Sequence, residues 1–174
     1  MKQHYYLIGY MGSGKSTVGK VLADRLKSLF FDLDHYIVQK EKASISEIFL
    51  TKGEVYFRKI EKKYLDELLF DSSPKVVALG GGTPCYFDTM NQLLTHPSIL
   101  PVYLQASIPF LTKRLFQEKS NRPLIAHIKT EARLAEFVGK HLFDRNPYYL
   151  QTKHRVLIDH KSVHEIVEEL LALT

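Results

Sequence analysis

Short apolar runs along the chain predict the β-strands of this protein. The run at residues 76–79 is continuously apolar, which is typical of a strand buried on both faces of a sheet. The run at residues 30–34 alternates instead, which predicts that Asp32 and Asp34 lie on one face at the end of a strand. The other strands are predicted at residues 5–8, 101–104 and 156–158.

Longer segments between these runs carry apolar residues at the three-to-four-residue spacing of amphipathic helices. Serines mark several helix starts: Ser44 forms a capping box with Glu47, and Ser107 and Ser162 are predicted N-caps. The helix that begins after Ser44 is predicted to end near Gly53. The two clearest apolar stripes are Val18, Val21, Leu22 and Leu26, and Phe57, Ile60, Tyr64, Leu65, Leu68 and Leu69.

The order of these elements, strand followed by helix, predicts the fold class. Such alternation favours a three-layer α/β fold in which helices cover both faces of a parallel sheet and ligands bind at the carboxyl ends of the strands. With 174 residues and 45% hydrophobic content, the chain is long enough for one substantial core and too short for two ordinary catalytic domains. We therefore predict a single domain over residues 1–174.

The charge balance favours an anionic partner. The sequence has 24 Lys and Arg against 19 Asp and Glu, which suits an anionic metabolite, a nucleotide or a nucleic acid. The basic residues are scattered, without the run of about five or six like charges that is typical of nucleic-acid-binding tails. We therefore expect no nucleic-acid partner.

Cysteine content and the N-terminal region bear on location. Cys85 is the single cysteine, so the chain has no internal disulfide framework and fits a reducing compartment. The apolar run near the N-terminus is too short for a signal peptide or a membrane span. We expect a cytoplasmic protein that has no membrane partner.

The strongest chemical signal is a glycine-rich loop between the first strand and the first helix. Residues 9–16 read GYMGSGKS and match G-x-x-x-x-G-K-[ST] in the strand-loop-helix context that this motif requires. In such a loop, backbone N–H groups converge on phosphate oxygens at the positive end of the helix. Lys15 neutralises the transferred phosphoryl group, and the Ser16 hydroxyl binds magnesium. The motif predicts phosphoryl transfer from ATP with Mg²⁺.

The carboxylates of the second strand are candidates for two further tasks. Asp32 and Asp34 are either solvated residues at a strand end or part of the site. A carboxylate beside the glycine-rich loop reaches the magnesium shell, and one two residues later reaches the acceptor hydroxyl. We therefore assign Asp32 to the metal and Asp34 to the substrate.

Three consecutive glycines indicate a second ligand contact. Gly80, Gly81 and Gly82 follow a predicted strand, where glycines destabilise the strand end unless the backbone must approach something closely.

Arg58 is either a surface arginine on an amphipathic helix or a site residue.

The two later polar segments are ambiguous. Arg145 follows a helix predicted at about residues 131–143, where Pro147 is compatible with a simple helix stop. Residues 117–129, which include Arg122, are polar and weakly periodic, so they form either a surface loop or a mobile lid.

Six motifs in one order resemble those of the shikimate kinase family, and the resemblance covers nearly the whole chain. Apart from the glycine-rich loop, each motif is modest by itself, so their order and separations carry the resemblance. They are GYMGSGKST at residues 9–17, FDLD at 31–34, FRKIE at 57–61, GGG at 80–82, NRPL at 121–124 and RNPYY at 145–149.

The resemblance implies a P-loop NTPase fold of the nucleoside-monophosphate-kinase type with a five-stranded parallel sheet. It implies a lid at about residues 117–129 and a substrate-binding helical region at about residues 34–62. The implied reaction transfers a phosphoryl group from ATP to the 3-hydroxyl of shikimate, on the route to chorismate and the aromatic amino acids.

The resemblance also implies residue roles. Asp34 would bind the shikimate hydroxyls and orient or deprotonate the nucleophile, and Arg58 and Arg145 would hold the carboxylate. Gly80, Gly81 and Gly82 would contact the substrate. Lys15, Asp34 and Arg122 would be catalytic, and the nucleotide would be bound by Gly12, Ser13, Gly14, Lys15, Ser16, Thr17 and the lid residue Arg122.

One segment departs from the family pattern. Many members carry an arginine after the last strand that packs on adenine, whereas this chain has Asp159, His160 and Lys161. The adenine contact is therefore open between His160 and Lys161.

Two alternative functions remain. The first is another small-metabolite kinase of this fold, such as a gluconate kinase, which would lack the combination of Asp34, Arg58 and Arg145. The second is a related binding module without catalysis, for which loss of Lys15, Asp34 or Arg122 would be the mark; all three are present. We expect a monomer.

Overall fold

A five-stranded parallel sheet lies at the centre of the protein, described here by a computed structural model that covers residues 4–119 and 122–173. The strand order is β2-β3-β1-β4-β5, and every neighbouring pair is parallel. This confirms the predicted fold class and strand number. The strands are β1 (His4–Ile8), β2 (Leu29–Asp32), β3 (Lys75–Ala78), β4 (Ile99–Gln105) and β5 (His154–Leu157).

Helices connect the strands, and a 3-10 turn at Thr83–Cys85 follows β3. The sequence pattern did not predict two of them, at Leu33–Glu41 directly after β2 and at Thr89–Thr95 before β4. The α-helices are α1 (Lys15–Leu26), α2 (Leu33–Glu41), α3 (Ile45–Phe70), α4 (Thr89–Thr95), α5 (Ile108–Glu118), α6 (Pro123–Ala126), α7 (Glu131–Tyr149) and α8 (Val163–Leu171).

The two faces of the sheet bury separate hydrophobic clusters. Successive side chains of a strand point to opposite faces, so Tyr5 and Leu7 of β1 pack with α1 and α8. Tyr6 and Ile8 belong to the larger cluster, which includes residues of α2, α3, α4, α5 and α7. Burial on both faces explains the run of large buried side chains at residues 5–8 of β1.

The predicted helix starts are confirmed. The hydroxyls of Ser44 and Ser162 each accept a hydrogen bond from the backbone N–H three residues later, and both complete a capping box with a glutamate. Ser107 accepts a hydrogen bond from the N–H of Phe110. Gly53 interrupts α3 as predicted, with φ 79° and ψ 172°.

The prediction that the second strand extends to Asp34 is wrong. β2 ends at Asp32, whose carboxylate accepts a hydrogen bond from the N–H of His35 at 3.2 Å and so caps α2. Asp34 therefore lies in the first turn of α2. An N-cap side chain that satisfies a free N–H group favours the turn into a helix over further strand.

The prediction that Arg145 follows a helix is also wrong, because α7 runs to Tyr149 and passes through Pro147. A proline inside a helix removes one backbone hydrogen-bond donor and weakens the turn around it. Here tertiary contacts of Tyr149 stabilise that turn. Tyr149 is fully buried, packs on Tyr103 with ring centroids 5.1 Å apart, and donates a hydrogen bond to the carbonyl of Gly81.

The segment at residues 117–129 contains regular structure in its described part. α6 lies within it, and Ile125 and Ile128 are buried in the larger core cluster. Asn121 of the NRPL motif lies outside the described residues. Among the described residues, no helix combines the length and apolarity needed to span a membrane.

Candidate active site

The glycine-rich loop joins β1 to α1 at the carboxyl edge of the sheet. Gly12 and Gly14 have φ values of 80° and 81°, in the left-handed region that glycine adopts without steric cost. Gly14 is the N-cap of α1, which has no side-chain cap and no acidic residue in its first turn. The helix N-terminus is therefore free to bind an anion.

Lys15 is the cation of this loop. Its side chain is buried, and its ammonium group donates hydrogen bonds to the carbonyls of Gly9, at 2.8 Å, and Tyr10, at 3.0 Å. Burial lowers the pKa of Lys15 to about 8, against the opposing effect of the Asp34 and Asp32 carboxylates. The pKa of Lys15 is thus brought close to neutral pH.

A first cavity of about 250 Å³ lies over the loop. Of the loop residues predicted to bind nucleotide, Ser13 alone does not line it: its side chain is buried, and its hydroxyl has no hydrogen-bond partner among the described residues. The cavity is lined by Met11, Gly12, Gly14, Lys15, Ser16, Thr17, Asp32, Asp34, Leu79, Gly80, Gly81, Arg114 and Arg122.

Ser16 and Asp32, the residues predicted to bind magnesium, are in contact. The Ser16 hydroxyl donates a hydrogen bond to the Asp32 carboxylate, so two hard oxygen donors lie together at the edge of the first cavity. The part of the chain that the structure describes has no group of three His, Cys, Asp or Glu residues that would enclose a metal. This donor set fits magnesium, which is usually bound by one or two protein ligands together with water and nucleotide phosphates.

A second cavity of about 320 Å³ adjoins the first, and the two share Met11, Asp34, Gly80, Gly81 and Arg122. The predicted acceptor residues from four separate chain segments meet here. The second cavity is lined by Met11, Asp34, Ile45, Phe49, Phe57, Arg58, Glu61, Gly80, Gly81, Gly82, Arg122, Pro123, Leu124 and Arg145.

Each of the three consecutive glycines lies against a different charged side chain of the site. A Cβ atom at Gly80 would be 3.1 Å from Oδ1 of Asp34, and one at Gly81 would be 3.1 Å from Nη1 of Arg145. A Cβ atom at Gly82 would be 2.9 Å from Nη2 of Arg58. The glycine run therefore leaves room for the side chains that surround the second cavity.

Arg58 is held by a carboxylate that is itself fixed. Its Nη1 donates to Oε2 of Glu61 at 2.9 Å, and Oε1 of Glu61 accepts a hydrogen bond from the Thr83 hydroxyl at 2.6 Å. Glu61 is almost fully buried. Sequence reasoning assigned no role to Glu61 or Thr83, although the spacing of three residues between Arg58 and Glu61 on a helix is typical of an ion pair.

Arg145 approaches the second cavity from α7. Its guanidinium carbon lies 5.3 Å from the ring centroid of Tyr10, within the range of a cation-π interaction. The Tyr10 hydroxyl lies 3.1 Å from Nδ1 of His141, one turn earlier on α7. Tyr10 therefore links the glycine-rich loop to the helix that carries Arg145.

Asp34 lies where the two cavities meet and is accessible to solvent in the cleft. The surrounding protein desolvates its carboxylate, and the nearby Asp32 and Glu61 repel its negative charge, which together raise the pKa of Asp34 to about 6. Lys15 and Arg58 act in the opposite direction. A carboxylate with such a pKa is suited to general-base chemistry near neutral pH.

Arg122 borders both cavities from the segment after α5. Its Nη2 donates to Oε2 of Glu118 at 2.7 Å, and a third of its side chain is exposed. Leu124, two residues later, is 65% exposed and lines the second cavity. The predicted lid segment therefore contributes both a cation and an apolar side chain to the site.

A third cavity of about 540 Å³ lies beyond Arg114, which also lines the first. Sequence reasoning missed Arg114, since a basic residue inside an amphipathic helix carries no distinguishing pattern. His160 lines this cavity, whereas Lys161 forms an ion pair with Glu169 at 2.6 Å. The cavity is lined by Ser107, Pro109, Phe110, Lys113, Arg114, Gln117, Asp159 and His160.

Comparison with known proteins identifies the family. The family model described as shikimate kinase matches residues 11–174. The chain is 46% identical over 165 residues to the shikimate kinase of Flavobacterium johnsoniae, covering 95% of each sequence.

Solved structures agree with this match. The shikimate kinase of Bacteroides thetaiotaomicron superposes with a TM-score of 0.86 at 30% identity, covering 98% of this chain and 97% of that chain. The shikimate kinase of Acinetobacter baumannii, solved in complex with shikimate, gives a TM-score of 0.85 at 31% identity, covering 98% of this chain and 92% of that one. A gluconokinase from Sinorhizobium meliloti, at 19% identity and a TM-score of 0.64, shares the fold alone. The chain therefore belongs to the shikimate kinase family.

Proposed function

We propose that this protein transfers the γ-phosphoryl group of ATP to the 3-hydroxyl of shikimate, giving shikimate 3-phosphate and ADP. One observation carries the proposal: Asp34 lies between a cavity built from the glycine-rich loop and a cavity bordered by three arginines. A phosphate donor and an anionic acceptor bound in these cavities would meet at a carboxylate.

The second cavity suits a small carboxylic acid that also carries hydroxyl groups. Arg58 and Arg145 supply guanidinium groups, which bind a carboxylate in bidentate geometry. Asp34 accepts hydrogen bonds from the acceptor hydroxyls, and the backbone of Gly80, Gly81 and Gly82 allows close approach. The carboxylate does not react, so the arginines position the acceptor.

In the proposed step, the acceptor oxygen attacks the γ-phosphorus, and the bond between that phosphorus and the β,γ-bridging oxygen breaks. Asp34 takes the hydroxyl proton, which its raised pKa allows. Lys15 and Arg122 stabilise the negative charge that develops on the phosphoryl oxygens and the ADP leaving group. The N-terminus of α1 and the loop N–H groups would hold the remaining phosphates. The N–H of Ser13 donates to the carbonyl of Tyr10 at 3.2 Å and would have to leave it to join them.

Ser16 and Asp32 would hold magnesium at the edge of the first cavity. When bound, the ion neutralises phosphate charge. The two oxygen donors are already in contact, so their positions need little rearrangement.

We also propose that the nucleobase occupies the third cavity. Arg114 of α5 and His160, which follows β5, both line it. His160 packs edge-on against Phe110, with ring centroids 6.5 Å apart. The ion pair of Lys161 with Glu169 makes His160 the better candidate for an adenine contact.

Two further expectations belong to this proposal. Residues 117–129 would close over the bound substrates as a lid, and residues 34–62 would form the helical acceptor-binding region of a single domain. A monomer that acts in the cytoplasm is the simplest assembly for such a kinase, and light scattering on the purified protein would test the oligomeric state.

A coupled assay for ADP release tests the function. The protein is supplied with ATP and Mg²⁺ and with shikimate, gluconate or no acceptor. We expect release that depends on shikimate and stops when EDTA removes the metal. ADP release only with gluconate would show that gluconate, and not shikimate, is the acceptor. Absence of ADP release with any acceptor would favour a binding module that lacks catalysis.

A further inference from the structure

The guanidinium group of Arg58 lies over the face of an aromatic ring from another part of the chain. Its central carbon is 3.9 Å from the ring centroid of Tyr86, closer than its 5.1 Å distance from the ring of Phe57. Tyr86 is the C-cap of the 3-10 turn that follows the glycine run. A contact of this length is well within the range of a cation-π interaction.

Hydrogen bonds fix the Tyr86 ring in this position. The Tyr86 hydroxyl donates to Oε1 of Glu54 at 2.9 Å, and the same oxygen lies 3.5 Å from Nε of Arg58. Thr83, at the other end of the turn, donates to Glu61. Glu54 and Glu61 flank Arg58 on α3, four residues before it and three residues after it, so both ends of the turn are tied to carboxylates beside Arg58.

The ring contributes something that these carboxylates do not. Glu61 occupies one N–H group of Arg58 and reduces the positive charge available to a ligand. The Tyr86 face restrains the guanidinium plane without using an N–H group. Nε of Arg58 is buried and lies 3.5 Å from Oε1 of Glu54. The hydrogen bond of Arg58 to the described residues uses Nη1, so Nη2 remains for an anion.

We infer that Tyr86 is a positioning residue that sets the affinity for the acceptor carboxylate by holding the plane of Arg58. The inference rests on the proposed function, in which Arg58 binds that carboxylate. Without the ring, the Arg58 side chain would lose conformational entropy when it binds the carboxylate. Its two N–H groups would also be less well aligned with the carboxylate oxygens. The effect belongs in acceptor binding, because the carboxylate does not react.

The first experiment compares the dissociation constant for shikimate in the wild type and in Tyr86→Leu and Tyr86→Phe variants by calorimetry. A cation-π contact of roughly 0.5 to 2 kcal/mol corresponds to about a 2-fold to 30-fold weaker affinity in Tyr86→Leu. Tyr86→Phe keeps the ring but loses the hydrogen bond to Glu54, so its loss of affinity should be clearly smaller than that of Tyr86→Leu. The KM for ATP should stay within about twofold in both variants, because Tyr86 lines neither the first nor the third cavity.

A matched control separates positioning from a general effect on the turn. Phe87 is the next residue, is 62% exposed and lines none of the three cavities. Phe87→Leu should leave the affinity for shikimate unchanged. Thermal unfolding of every variant checks the fold, and Tyr86 is itself 37% exposed, so its replacement should be tolerated.

A double-mutant cycle tests whether Tyr86 acts through Arg58. In an Arg58→Ala background, which should itself weaken shikimate binding, Tyr86→Leu should have no further effect. The methyl ester of shikimate, which lacks the carboxylate charge, should be bound about equally by the wild type and Tyr86→Leu.

Four results would overturn the inference: unchanged shikimate affinity in Tyr86→Leu, an equal loss in Tyr86→Phe, an equal loss in the Arg58→Ala background, or an equal loss for the ester. The proposed function fails separately, through a wild-type protein that shows no shikimate-dependent release of ADP. In that case both proposals fall together, whereas an active wild type with an unaffected Tyr86→Leu variant removes only the inference.

Discussion

At the scale of single residues, the site depends on charged groups whose protonation the protein adjusts. Asp34 has a raised pKa and Lys15 a lowered one, and desolvation of the charged group by the surrounding protein is the largest cause of both shifts. The pKa of the Asp34 carboxylate and that of the Lys15 ammonium group both lie closer to neutral pH than they would in water. Their roles are therefore testable through both substitution and pH.

Replacement of Asp34 by Asn should lower turnover by about two to four orders of magnitude, because the acceptor hydroxyl loses its general base. The shape of the side chain is kept, so the thermal unfolding midpoint should change little. Steady-state kinetics with shikimate measure the effect, and Asp24→Asn, at an exposed position of α1, is the matched control. Turnover close to that of the wild type would remove Asp34 from this role.

The pH dependence should show two limbs. With ATP held well below its KM, kcat/KM for shikimate should fall as the pH drops through about 6, because protonated Asp34 cannot accept the hydroxyl proton. With shikimate held below its KM, kcat/KM for ATP should fall as the pH rises through about 8, because Lys15 loses its charge. Flat profiles between pH 5 and 9 would contradict both assignments.

Gly82→Ala should raise the KM for shikimate. The backbone of Gly82, with φ −89° and ψ −19°, suits alanine, but the new methyl group would lie 2.9 to 3.0 Å from the Arg58 guanidinium and displace it. We expect an increase of roughly tenfold, comparable with the loss of one charge-assisted hydrogen bond. Gly139→Ala in α7, where the nearest atom is at 3.5 Å, is the control that should have no effect on KM.

At the scale of elements, α3 matters because it carries several residues of the second cavity on two helical segments. Phe49 lies before the break at Gly53, and Phe57 and Arg58 lie after it. The rings of Phe49 and Phe57 pack with centroids 4.6 Å apart, so the break sets one wall of the cavity. The backbone conformation of Gly53 sets the angle between the two helical segments.

Gly53→Ala should therefore act through the backbone. An added methyl group would meet nothing within 4 Å, but φ 79° with ψ 172° is a conformation that glycine alone adopts readily. We expect the free energy of unfolding to fall by about 1 to 3 kcal/mol in urea denaturation. A variant as stable as the wild type would show that the segments tolerate another angle.

At the scale of the whole molecule, the parallel sheet separates function from stability. The loops after the carboxyl ends of β1 and β3 contribute to the site, whereas His4 lies at the opposite end of β1. His4 is buried, and its Nδ1 has no hydrogen-bond partner among the described residues. Burial, together with the positive charge of Lys75, lowers the pKa of His4.

Unfolding should consequently become easier in mild acid. Because the pKa of His4 is lower in the folded protein than its unfolded value of about 6.5, the unfolded chain takes up the proton first. Above that pH the folded state keeps its full stability, which it loses as the pH falls below about 6.5 through the folded pKa. Urea denaturation at pH 7 and pH 5.5 should show a smaller loss in His4→Gln than in the wild type. His164→Gln, at a side chain that is 72% exposed, should match the wild type.

The sequence by itself determined what short-range contacts decide. The glycine-rich loop follows from residues that are neighbours in the chain, and the caps at Ser44, Ser107 and Ser162 satisfy N–H groups three residues away. The parallel sheet follows from short apolar runs that alternate with helical segments, which requires no knowledge of which strands are neighbours. These parts of the fold were predicted correctly for that reason.

Only the tertiary structure decided where the acceptor side of the site is assembled. Asp34 enters the cleft from a helix because Asp32 caps that helix, and Arg145 does so because Tyr149 is anchored beyond Pro147. The cation-π contact of Arg58 with Tyr86 joins two elements that no local pattern connects. Their positions depend on packing between distant segments, which hydrophobic periodicity does not encode.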